Sequence, residues 1–111
     1  MAAAMPLISP PPLTGTSTIA DGLRTSPVGE IPFAHIQRYV DDIVAVTEAE
    51  IRSAMRHIAH TSRLIAEPSG AVATAAHLFH PWELPASRKT VAILSGGNLT
   101  PEMLASVMSG A

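Results

Sequence analysis

The stretch Val91-Ala92-Ile93-Leu94-Ser95-Gly96-Gly97-Asn98 (VAILSGGN) decides how this chain is read. Residues 90–94 (TVAIL) are apolar or β-branched with no polar alternation, which predicts a strand of a parallel sheet covered on both faces. The run ends on a hydroxyl, two glycines and an asparagine. Ligands of parallel sheets bind beyond the carboxyl ends of the strands, and glycine lets backbone approach a flat or anionic ligand with no Cβ in the way. Thr100-Pro101-Glu102 supplies a cap hydroxyl, a first-turn proline and a first-turn acid, so a helix is predicted from there to about Met108. Its N-terminal N–H groups point the same way as the strand end. A nucleophile elbow is excluded, because it needs glycine two residues before the serine and position 93 is Ile. Taken alone, Ser-Gly-Gly-Asn reads more readily as a simple Gly-rich strand-to-helix turn, because short glycine motifs are unspecific.

Outward from this stretch the elements alternate. Residues 1–17 hold four prolines among Ser, Thr and Gly and read as an extended N-terminal segment, followed by one domain over 18–111. Pro32 fits the first position of a helix through Tyr39, with Phe33, Ile36 and Val40 on one side. DDIVAV (41–46) reads as a buried strand. Thr47 and Glu50 have capping-box spacing and open the clearest helix. Its apolar face is Ile51, Ala54, Met55 and Ile58, extending to Ser62 and Ile65. Arg52, Arg56 and Arg63 fall on the other side, with Glu48 one turn before Arg52. AEPSG (66–70) breaks the helix. GAVATAAHLF (70–79) resumes it, apolar nearly all round and therefore expected to be deeply buried. The order helix, strand, helix, helix, strand, helix is α/β grammar. Two interior strands need neighbours on both edges, and a stable sheet needs at least about three strands. The pattern is therefore that of part of a larger α/β domain, or of a chain whose partners come from a second copy.

The totals narrow the function classes. A length of 111 residues fits one small domain. Hydrophobic residues at 47% against 14% charged exclude a disordered, charge-rich chain. A net charge of −2 with no basic run argues against nucleic acid. No apolar run approaches the roughly 18 residues of a membrane span. The start, apolar but without a basic residue and broken by prolines, does not read as a signal peptide. Cysteine is absent, which suits a cytoplasmic protein and removes thiolate metal sites. Histidines pair at i, i+3 as His57/His60 and His77/His80, with no nearby carboxylate to complete a ligand set, so they read as surface residues and no metal site is assigned. Asp21-Gly22 alone is an ordinary turn dipeptide, and Glu67 alone a solvated acid at a helix break.

Together, four strings carry more. TIADGLRT (18–25), VDDIVAVTEAEI (40–51), AEPSGA (66–71) and VAILSGGN (91–98), in this order and spacing, resemble the C-terminal stretch of the serine/threonine dehydratase family. These are fold type II pyridoxal-phosphate enzymes that include threonine dehydratases and serine racemase. The resemblance covers about residues 18–108. It implies an α/β fold in which this chain is a partial parallel sheet with flanking helices, belonging to the family's large domain. It implies pyridoxal 5′-phosphate as cofactor, with Ser95 as the hydroxyl on the pyridine nitrogen and Gly22 packed flat against one ring face. Glu67 matches the family's acid near the ring. Gly96, Gly97 and Asn98 match the loop that shapes that edge, and Asp21 and Thr25 lie on the substrate side.

The resemblance also implies what the chain lacks. The family's Schiff-base lysine, Gly-rich phosphate loop and metal-binding acids lie upstream of the matched stretch, and none is present here. The single lysine, Lys89, lies six residues before Ser95 along an extended run, roughly 20 Å away. It reads as a solvated surface residue. The expected function is therefore that of a fragment of a threonine or serine dehydratase, an ammonia-lyase that converts a hydroxy amino acid to a 2-oxo acid and ammonia. The fragment is expected to be inactive alone, to complete its fold with the missing N-terminal part, and to be homo-oligomeric in the full enzyme. Serine racemase is the alternative within the family. A non-catalytic remnant or subunit-interaction piece is the alternative outside it.

Overall fold

The computed structural model describes residues 17–24 and 27–110. Its elements are a single 3-10 turn at Asp21–Leu23 and four helices: α1 Glu30–Tyr39, α2 Glu48–Ser62, α3 Pro68–Phe79 and α4 Pro101–Met108. No strand occurs among the described residues.

α2 forms where its cap predicts. The Thr47 hydroxyl accepts the Glu50 N–H at 3.2 Å, and the Glu50 carboxylate accepts the Thr47 N–H at 2.7 Å. Two of the four orphan donors of the helix start are thereby satisfied. The buried face is Ile51, Ala54, Met55 and Ile58. The face does not run on to Ser62 and Ile65. The helix stops at Ser62 because Arg63 turns left-handed (φ 57°, ψ 29°), which leaves Ile65 exposed. The Arg63 guanidinium donates to the His60 carbonyl at 2.7 Å, capping a carbonyl that the turn orphans.

α3 starts two residues earlier than its apolar run suggests. Pro68 occupies the first helical position, where a missing N–H costs nothing. Its burial is one-sided, against the expectation of a helix buried all round. Gly70, Ala71 and Ala75 are buried against α2, while Ala73 and His77 are exposed. α4 is capped by Thr100, whose hydroxyl accepts the Met103 N–H at 3.2 Å. It packs on α2 through the fully buried Val107. Arg56 and Arg52 do not face away from the core region as a solvated stripe. They reach α4, donating to the Val107 carbonyl at 3.0 Å and to the Ser106 hydroxyl at 3.2 Å. Glu48 accepts the Ile19 N–H at 3.0 Å, and the Arg52 charge helps to hold its pKa low after the Thr18 hydroxyl and the Ile19 N–H.

α1 begins at Glu30 rather than at Pro32. Its expected apolar side is not buried, and it packs on none of the other helices. The two predicted strands, 41–46 and 90–94, form no ladder. Ile43 is 77% exposed, Val91 87% and Ile93 73%. These are the side chains that an interior strand buries on its neighbours, so the partial parallel sheet is corrected to two unpaired segments beside a small helical core. That core centres on Ile51, Ala54, Met55, Ile58, Ala71 and Ala75.

Candidate functional site

The N-terminal turn of α3 is the meeting point of three of the four strings. Glu67 is the residue before the helix, and its carbonyl accepts the Gly70 and Ala71 N–H groups at 3.0 and 3.1 Å. The Glu67 N–H donates to the Gly96 carbonyl at 3.3 Å. Gly96 has φ +78°, a conformation that side chains disfavour, and a Cβ there would run into the Glu67 carboxylate. Gly70 lies directly under Ser95, where a Cβ would overlap the Ser95 carbonyl. A Cβ on Gly97 would stand 2.8 Å from the Ile65 carbonyl. The loop 95–97 is thus seated on the turn 65–70 by three close backbone approaches.

The third string arrives through Ser69. Its hydroxyl accepts the Gly22 N–H at 2.9 Å, across 47 residues of sequence. Asp21 and Gly22 therefore stand beside the same helix start as Ser95. Ser69 and Gly70 are the contacts that motif reading missed. Both stand in AEPSGA, where Glu67 drew attention as the ionisable group. The small residues beside it were the signal.

The candidate residues divide between two hollows. Ser95 and Ser69 line an open one of about 480 Å³, which runs between residues 42–44 and 90–93 over the outer face of α3. Apart from these hydroxyls, Asp42, His77 and Thr90, its lining is aliphatic. The Ser95 hydroxyl has no hydrogen-bond partner among the described residues. Asp21 and Asn98 line a second hollow of about 270 Å³ at the start of α4, with Pro68, Thr100 and Met103. Glu67 is half-buried between the two seated segments. Thr25 lies outside the described residues. Lys89 is exposed and lines neither hollow.

Charge gathers elsewhere. His80, the residue after α3, faces Glu50 through Nε2 at 3.1 Å and Glu83 through Nδ1 at 2.8 Å. Contrary to the sequence reading, one histidine does have carboxylates beside it. They sit on opposite ring nitrogens and so share no centre a cation could occupy. No group of three or more His, Asp or Glu side chains placed to hold a metal ion exists among the described residues. Glu50, then Glu83, raises the His80 pKa above its ordinary value. Glu50 is held low first by the Thr47 N–H and then by His80. Glu48 is held low by the Thr18 hydroxyl and then by the Ile19 N–H. No helix among the described residues is long and apolar enough to cross a membrane.

A pyridine ring asks of this site a hydrogen-bond donor facing open space and backbone close enough to shape the edge beside it. The unpartnered Ser95 hydroxyl, opening on a hollow and seated by Gly70, Gly96 and Gly97, meets that demand. Comparison with known proteins gives the family. Residues 1–96 match the family described as pyridoxal-phosphate dependent enzyme. The chain is 38% identical over 93 residues to L-threo-3-hydroxyaspartate ammonia-lyase of Saccharomyces cerevisiae, covering 84% of this chain and 28% of that protein. It is 40% identical over 85 residues to the catabolic L-threonine dehydratase of Escherichia coli K12, covering 76% and 26%. It is 36% identical over 94 residues to serine racemase of Dictyostelium discoideum, covering 84% and 29%. The chain spans about a quarter of the length of the curated relatives it matches.

Proposed function

The chain belongs to the family of pyridoxal-phosphate dependent enzymes, and from that membership we propose that it is the Ser95-bearing part of an ammonia-lyase for hydroxy amino acids such as threonine or serine. Membership implies an α/β fold. In this reading, segments 41–46 and 90–94 become strands when the rest of that fold supplies their neighbours, and the aliphatic floor of the larger hollow becomes covered core. The assembled enzyme is cytoplasmic and homo-oligomeric. Serine racemisation is the alternative chemistry within the family.

When bound, pyridoxal phosphate supplies an electron sink for negative charge at the substrate α-carbon. This chain's residues shape one edge of its site. Ser95 donates to the ring nitrogen. A neutral hydroxyl there does not hold a proton on the ring as a carboxylic acid would, which limits charge spread and suits loss of a β-hydroxyl. Gly22 keeps one ring face free of side chain. Glu67, Gly96 and Gly97 hold the loop that carries Ser95, Asn98 shapes the edge of the pocket beside it, and Asp21 stands toward the substrate, with Thr25 assigned there from the motif alone. The amine that bonds the cofactor and takes the α-proton comes from outside this chain, since Lys89 is exposed beyond both hollows.

The observation that carries the proposal is the convergence of Gly22, Glu67 and Ser95 on one helix start. The test is complementation. Residues 1–111 alone, given pyridoxal phosphate and threonine or serine, should release no 2-oxo acid. Co-expressed with the upstream part of a threonine dehydratase, they should do so, and Ser95→Ala should abolish that gain. Turnover by the chain alone, or a complemented activity indifferent to Ser95, rejects the reading. Failure to complement any partner favours a non-catalytic interaction piece.

A further inference from the structure

Ser69 has no role in the motif reading, yet it is the link between the two residues that reading values most. The 3-10 turn that carries Gly22 is closed by local bonds only: Asp21 to Ile19, Leu23 to Ala20 and Arg24 to Asp21, at 2.9, 2.9 and 3.1 Å. Such bonds fix the shape of a turn but not its place. Ahead of the turn, place is set by the buried Ala20 and by the Ile19 N–H on Glu48; on the Gly22 side it is set by the hydrogen bond from the Gly22 N–H to the Ser69 hydroxyl. The next residue, Gly70, is pinned under the Ser95 carbonyl. One dipeptide at a helix start therefore touches both.

We infer that Ser69 is a positioning residue, whose hydroxyl sets where Gly22 stands relative to Ser95; the inference rests on the reading of Gly22 and Ser95 as cofactor-facing. The same contact explains the glycine. A Cβ at position 22 would stand 2.9 Å from the Ser69 oxygen and 3.3 Å from its Cβ, so the acceptor that holds the turn also excludes a side chain there. The hydroxyl accepts with a lone pair and keeps its proton free for the hollow it shares with Ser95.

The test is amide hydrogen exchange on the 111-residue chain, read at Gly22 and, as a reference for the core, at Ala54 and Met55. Ser69→Ala should speed exchange at Gly22 about fivefold to tenfold, the loss of one hydrogen bond, and leave the reference amides unchanged. Ser69→Thr, which keeps the acceptor, should restore the wild-type rate. Equal rates at Gly22 in all three proteins overturn the inference. So does equal acceleration of Ala54 and Met55, which would make Ser69 a fold residue only, and so does loss of protection in both variants. A second readout uses pyridoxine 5′-phosphate, the alcohol form that cannot bond to an amine. Its addition should shift the amide resonances of Ser95 and Gly22 in the wild type, and only that of Ser95 in Ser69→Ala. A ligand that shifts both residues equally in the two proteins overturns the inference. A ligand that shifts neither in the wild type defeats the reading of Ser95 and Gly22 as ring contacts, while the exchange rates still decide whether Ser69 places Gly22.

Discussion

The apolar face of residues 51–58 and the apolar run 90–94 end in opposite states. Ile51 and Met55 are 3% exposed, while Val91 is 87% exposed. The difference lies in what each element must borrow. A helix satisfies its backbone internally and needs one apolar neighbour for one face, which α3 gives α2. A strand needs hydrogen-bonding partners on both edges and cover on both faces. Nothing among the described residues supplies these to 41–46 or 90–94.

That contrast can be broken or sharpened by substitution, and the largest effect belongs to the helical side. Ile51→Ala should cost about 3 kcal/mol of stability in urea denaturation, because it empties a site with little room to collapse. Gly70→Ala should cost about 2 kcal/mol, since its Cβ meets the Ser95 carbonyl, a backbone atom that cannot swing aside. Loss of amide protection at Glu67 and Leu99, which donate to the Gly96 and Gly97 carbonyls, would localise the damage to the seated loop. Thr47→Ala should cost about 1 kcal/mol through the lost cap. Ile93→Ser, by contrast, should change the stability of the isolated chain by under about 0.5 kcal/mol. A large loss there would mean that 90–94 is already buried on something, which would collapse the distinction.

A smaller test is by pH, at the Glu50–His80–Glu83 contact between the start of α2 and the end of α3. The His80 pKa is raised, so its contribution is complete below the ordinary histidine value of 6.5 and is lost as pH rises through the folded value. The Glu50 pKa is lowered, so its contribution is complete above 4.5 and is lost as pH falls through the folded value. The contact works best between those limits. The thermal midpoint should fall slightly from about pH 6 to about pH 8, and His80→Gln should remove that fall.

The contrast also marks what the sequence made legible. Both side-chain helix caps, Thr47 and Thr100, stand where their patterns placed them, because a cap is a matter of residues three apart. The end of α2 was not legible: nothing in the apolar spacing announces that Arg63 turns left-handed and drops Ile65 from the face. Periodicity named 90–94 a strand from side chains, whereas a strand exists only with its neighbours. For the site, neither Asp21-Gly22 nor Ser-Gly-Gly-Asn pointed to the other. Their adjacency depends on Ser69 and Gly70, whose contacts span 47 and 25 residues. Only the family resemblance anticipated the grouping, and it did so without those two.

The fastening of α4 bears on how the site would breathe. This helix holds to the body by one fully enclosed side chain, Val107, and by guanidinium bonds from Arg52 and Arg56. The α2–α3 pair shares a broader apolar seam. In a hierarchy of local opening, α4 should detach first. Its departure would dismantle the hollow beside Asp21 and Asn98, for which it supplies Met103, while the seat beneath Ser95 stays closed on Gly70. The two edges of the site thus belong to different cooperative units. On the proposed reading, an amino acid is admitted or released on one side by a low-energy fluctuation that leaves the hydroxyl for the ring in register.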